Sequence, residues 1–166
     1  MDFSYIDIGL LAIVVLFLLN GLRNGFIRAA GNLIGAVIGV IGSWYVMVWL
    51  QDNYSIFSHP MWAVIIFVGL IMAMSKIVGF IVDMIDEAWK LITIIPFLKS
   101  INKLLGGILG LFEGILMIAA IAYFAGYYFA ETQIGVALLG SPIISWLGFV
   151  IKIVAWLTPK VAVITS

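Results

Sequence analysis

The chain has 166 residues, of which 65% are hydrophobic and only 10% charged, and its eight basic and eight acidic residues balance. Soluble domains carry roughly 45–50% apolar and about 25% charged residues, so this chain reads as one small domain, residues 1–166, placed largely in lipid. The balance excludes a basic surface for nucleic acid. The absence of cysteine excludes disulfides and thiolate chemistry, and a single histidine, His59, argues against a histidine metal centre or a catalytic triad.

Four apolar runs are long enough to cross a hydrocarbon core, which needs about 20 helical residues. They cover 5–21, 26–50, 61–82 and 105–129. No alternating pattern suggests a barrel, so helices must satisfy the backbone in lipid. The expected fold is an all-α integral membrane protein with four transmembrane helices arranged as two hairpins. The chain begins "MDFSYID", with two aspartates and no basic residue, so the first run is read as a retained span rather than a cleavable signal. Arg23 and Arg28 follow that run and place the first loop in the cytoplasm.

The second run carries Gly31, Gly35 and Gly39 at four-residue spacing, with Gly42 close by. The fourth repeats the device at Gly106, Gly110 and Gly114. Each series stacks on one helical face and lets a neighbouring helix approach at backbone distance, as a packing seam or as a sliding contact. "GNLIGAVIG" is not a nucleotide loop, because it lacks the lysine and hydroxyl that serve phosphates and magnesium.

Between the second and third runs, "QDNYSIFSHP" carries no lysine or arginine and reads as external. Lys90, Lys99 and Lys103 mark the next connection as internal, and "AETQIG" reads as external again. Both termini are therefore expected outside. Tyr5, Trp44, Tyr45, Trp49, Tyr54, Trp62, Tyr127 and Tyr128 fall near the expected outer ends, as a headgroup belt does.

Two further helices are expected. Residues 84–95 place Asp86, Glu87, Lys90 and Thr93 on one stripe, which suits a helix at the inner surface stopped by Pro96. Residues 142–157 form an amphipathic helix, capped by Ser141 and started by Pro142, with a polar stripe of Ser145, Gly148 and Lys152. An outer interfacial position is preferred for it over a fifth span.

Two charges lie deep in spans. Lys76 is about 10 Å of helix rise from the inner end of the third run, and Glu113 a similar distance into the fourth. At matched depth they could pair as a structural contact, or serve transport or a proton relay. Lys76 could equally snorkel to the headgroups. Asp7, in the outer turn of the first span, is expected to cap its helix or to bond a neighbour, capping being preferred. No arrangement of nucleophile, base or metal ligands is evident, so neither an enzyme nor a bound metal or cofactor is expected.

The order of these motifs resembles the colicin V production protein (CvpA) family. An aspartate opens the first span in "YIDIGLLAIVV" (Asp7). A turn follows in "GLRNGFIR", with Arg23, Gly25, Phe26 and Arg28. "LKSINKLLGGILGLFEGIL" supplies Asn102 and Lys103 ahead of the glycines, and "SPIISWL" matches the serine stretch near the carboxyl end. The chain departs from the family's pattern where Asn24 separates arginine from glycine and where Ala29 follows Arg28, a position at which family members often carry glutamate. The resemblance implies a bacterial inner-membrane accessory protein of toxin production or export, or of envelope homeostasis. Such a protein works through the bilayer and membrane-protein partners or as a homo-oligomer. The competing expectation is a small oligomeric transporter or channel using Lys76 and Glu113.

Overall fold

The structure, a computed structural model, describes residues 5–53, 60–90 and 96–158. The expectations for Tyr54, for His59 and for 91–95 of the inner-surface helix lie outside them. The described chain folds into seven helices: α1 (Tyr5–Asn24), α2 (Phe26–Asn53), α3 (Pro60–Lys90), α4 (Pro96–Tyr128), α5 (Gln133–Leu139), α6 (Pro142–Trp146) and α7 (Gly148–Leu157). The first four are long and apolar enough to cross a membrane, so the chain is an all-α, multi-pass membrane protein.

Local chemistry sets the helix ends. Prolines open α3, α4 and α6, where a missing N–H costs nothing and a fixed φ suits the first turn. Pro96 opens α4. Residues 84–90, expected to begin a separate inner-surface helix, continue α3 without a break. Between α1 and α2 the chain reverses at one residue, Gly25, whose φ of +82° is readily adopted only by glycine. The expected carboxyl-terminal helix is two pieces, broken at Leu147 just ahead of Gly148. Ser141 caps α6 as expected, accepting from the Ile143 N–H at 3.2 Å. Helix α5, capped by Thr132, was not anticipated.

The spans pair differently from two simple hairpins. Although α1 and α2 share a tight turn, α1 packs mainly on α4, α2 packs on α3, and α4 and α2 lie side by side. The glycine faces explain the choice. Gly106 and Gly110 sit against the backbone of Gly21 and Phe17, and a Cβ at Gly114 falls 3.3 Å from the Val14 Cα. On α2, a Cβ at Gly35 falls 3.0 Å from the Ser75 carbonyl oxygen, and one at Gly39 falls 2.8 Å from that of Ile71. Each glycine face admits one neighbour at backbone distance, and it is a different neighbour for α4 than for α2. Gly31 is buried at the start of the same face.

Between α2, α3 and α4 lies the main core, containing Ala36, Val40, Trp44, Met47, Phe67, Ile71 and Phe124. Phe67 and Phe124 stack with centroids 4.2 Å apart, and Trp44 meets Phe124 edge-on at 6.3 Å. Trp44 is thus a core residue rather than part of a headgroup belt, being only 1% exposed. Tyr5, Tyr45, Trp49, Trp62 and Tyr127 do face outward at that end. A smaller cluster of Leu10, Ile118, Ala122 and Ile144 ties α1, α4 and α6 together.

Candidate functional site

The motif residues meet in two polar contacts at opposite ends of the bundle. At the end carrying Arg23, Arg28 and Lys103, the Asn102 side-chain oxygen accepts the Phe26 N–H at 3.0 Å. The first N–H groups of a helix lack partners within it, so α4 here caps α2 from outside. The Asn102 carboxamide also covers the turn: a Cβ on Gly25 falls 2.5 Å from its Nδ2. Asn24 donates from its side chain to the Asn20 Oδ1 at 3.0 Å. Arg23 and Lys103 are exposed, while Arg28 is half-buried.

At the aromatic end, Asp7 is 1% and Ser141 4% exposed, and the Ser141 hydroxyl donates to the Asp7 Oδ1. Of the two expectations for Asp7, a neighbour's bond is the one seen here, with a partner 134 residues away that the sequence did not name. Ser141 therefore has two tasks, capping α6 and tethering it to α1. Both groups are buried, and a hydrogen bond in a low-dielectric surround is stronger than the same bond in water.

A cleft occupies the remaining side of the bundle. Helices α1–α4, α4–α2 and α2–α3 share broad contacts, whereas α1 and α3 barely meet. The gap between them holds a cavity of about 570 Å³, lined by Phe17 and Asn20 of α1, Asn32 of α2, five residues of α3 and, on α4, Glu113 and Met117. The α3 residues include Ser75, Lys76 and Phe80. This volume lies within the usual ligand-pocket range of about 300–1,000 Å³.

Lys76 and Glu113 therefore share one cavity, as their matched depth suggested, but no ion pair joins them. Lys76 is exposed on α3, and Glu113 is 7% exposed in the cleft floor. The two lie on helices that make little contact, which keeps the charges apart. Toward the aromatic end the cleft meets filled core: Ile71 is fully buried and the Phe67–Phe124 stack follows. Among the described residues, the polar cavity is confined to the half of the bundle nearer the basic end.

Asn20, Asn32 and Ser75 join the cleft without having been singled out. Polar side chains inside apolar spans are the signal that could have found them. They carry no charge, and the asparagines stand near helix ends, so each alone resembles an ordinary terminus. No group of three or more metal-ligating side chains occurs among the described residues.

Compared with known proteins, residues 6–157 match the family model described as colicin V production protein. No curated protein and no solved structure matches the chain. The match covers α1 to α7 and includes every residue of the two polar contacts, so the chain belongs to the colicin V production protein family.

Proposed function

We propose that this protein is a non-catalytic accessory protein of the bacterial inner membrane that supports production or export of a peptide toxin through protein contacts made within the bilayer. Membership of the colicin V production family supports the role in toxin production. The observation that carries the mechanism is the open side of the bundle. Three sides are closed by helix packing, and the fourth presents to the membrane plane a mostly apolar cleft into which Asn20, Asn32, Ser75, Lys76 and Glu113 bring polar groups. Exposed polar groups in hydrocarbon are costly, and a partner helix that bonds them relieves the cost.

The remaining features suit an anchored scaffold. Trp146, Phe149, Ile153 and Trp156 project outward at helical spacing along α6 and α7, beside the exposed Lys152. An aromatic stripe next to a cation fits a helix pair lying in the outer headgroup region, with both termini outside. At 10 residues, α7 is half the length a span requires.

A transporter reading has one observation in its favour, the shared cavity of Lys76 and Glu113. The packed aromatic core beyond Ile71 weighs against a path across the bilayer. The two readings separate in one experiment. Toxin release is measured from producing cells whose only copy carries Lys76→Gln or Glu113→Gln, and the same purified proteins are assayed for ion or proton flux in liposomes. Reduced release at normal membrane abundance, with no flux from the wild-type protein, is the expected result. Flux abolished by Glu113→Gln establishes the transporter instead.

A further inference from the structure

The open side carries two charges that nothing among the described residues pairs. Glu113 is more than nine-tenths buried yet lines the cleft, and Lys76 projects from α3 beside it; neither forms a hydrogen bond or ion pair. An isolated carboxylate and ammonium deep in a span are each costly, and pairing removes much of that cost. A second feature lies on the same outward face of α3. Gly69 and Ala73 are exposed four residues apart, Lys76 follows three residues later, and nothing lies within 4 Å of a Cβ added to Gly69. Small residues at this spacing on α2 and α4 receive α3 and α1, whereas on α3 they receive nothing among the described residues.

We propose that a second copy of this chain covers the open side in a parallel, two-fold dimer. Helix α3 packs on α3 at Gly69 and Ala73, and Lys76 of each copy donates to Glu113 of the other. This names the partner at the cleft and rests on the reading of that side as a protein contact. Charge complementarity is the reason for choosing a second copy over a lipid or another protein. One unpaired cation and one unpaired anion on the same face of one chain are satisfied twice over by an isologous contact.

Depth agrees. Phe26 and Asn102 are hydrogen-bonded and define one level. Gly35, opposite Ser75, is nine residues from Phe26, and Glu113 is eleven residues from Asn102. These rises are about 14 and about 17 Å, a difference that a lysine side chain spans. A two-fold axis along the membrane normal preserves both depths.

The test uses two differently tagged copies of the full chain, co-expressed and purified in native-lipid nanodiscs. Lys76→Glu alone places two carboxylates at each cross-contact, and Glu113→Lys alone places two ammoniums there. Mixing the two variants restores opposite charges at both contacts of a heterodimer. Wild-type copies should co-purify, each variant should lose about tenfold of its self-association, and the mixture should recover most of it. A pair between copies is restored by this mixture, whereas a pair within one chain is not.

A mixture no better than either variant, or wild-type protein that is monomeric with only lipid or another protein at the cleft, overturns the proposal. Should the charged variants fail to insert, oxidation of Gly69→Cys or Ala73→Cys in membranes decides the matter. The chain has no cysteine of its own, and a disulfide requires Cα atoms about 4.4–6.8 Å apart. A cross-linked dimer from at least one position, and none from Phe149→Cys, is expected; no cross-link at either overturns the dimer. Toxin release from the same cells separates this inference from the function it rests on. Release lost without any dimer rejects the second copy alone, and a dimer with unchanged release rejects the functional reading alone.

Discussion

Replacing Gly25 by alanine tests how the turn and Asn102 hold the basic end together. The substitution has two costs that can be worked out separately. Backbone at φ +82° strains any L residue, by about 1–2 kcal/mol for alanine. The new Cβ also arrives 2.5 Å from the Asn102 Nδ2 and must displace that side chain. Displacement breaks the Asn102–Phe26 hydrogen bond, for about another 1 kcal/mol. Gly25→Ala should therefore lose about 2–3 kcal/mol, and Asn102→Ala alone about 1 kcal/mol. In the double variant the clash has no partner and the bond is already gone, so the loss stays at about 2–3 kcal/mol instead of the additive 3–4 kcal/mol. Reversible unfolding in mixed micelles, followed by circular dichroism, measures all three. Additive losses would falsify the coupling between the turn and α4.

Three further outcomes follow from other contacts. Ser141→Ala removes the buried bond to the Asp7 carboxyl group and should cost about 1–3 kcal/mol, with faster hydrogen exchange in α6 and α7 than in α2. Gly110→Leu places a side chain against the Phe17 carbonyl and should cost about 3 kcal/mol or prevent folding, whereas Gly9→Ala, which meets open space, should stay within about 1 kcal/mol of wild type. Single cysteines at Arg23 and Lys103 should react with membrane-impermeant reagent only after the cells are opened, and one at Glu131 in intact cells; the reverse pattern inverts the orientation.

The sequence made the spans legible because lipid leaves the backbone no choice but helix, and apolar run length reports that directly. The family resemblance also pointed to Asp7, Gly25, Phe26 and Asn102, and all four take part in the end contacts. What the sequence could not reveal was who meets whom. Gly35 and Gly110 announce a close neighbour without naming it, and connectivity suggested α1 with α2 where packing chose α1 with α4. For Asp7 a neighbour's bond was allowed but ranked below capping, because its partner is 134 residues away. The pairing of Lys76 with Glu113 was inferred from depth alone, yet direction around the helix axis put one outward and the other into the cleft floor. Trp44 misled for a related reason: position near a span's end suggests a belt, but rotation about the helix axis decides between lipid and core.

The central claim is that the side of the bundle between α1 and α3 is a protein contact in the membrane. Photo-reactive residues introduced one at a time in producing cells test this most directly. Met72 and Phe80 edge the cleft, whereas Ile38 on α2 and Ile108 on α4 are exposed without lining it. Irradiation should yield protein–protein adducts from positions 72 and 80 and only lipid adducts from 38 and 108. Lipid adducts alone from positions 72 and 80 would contradict the account.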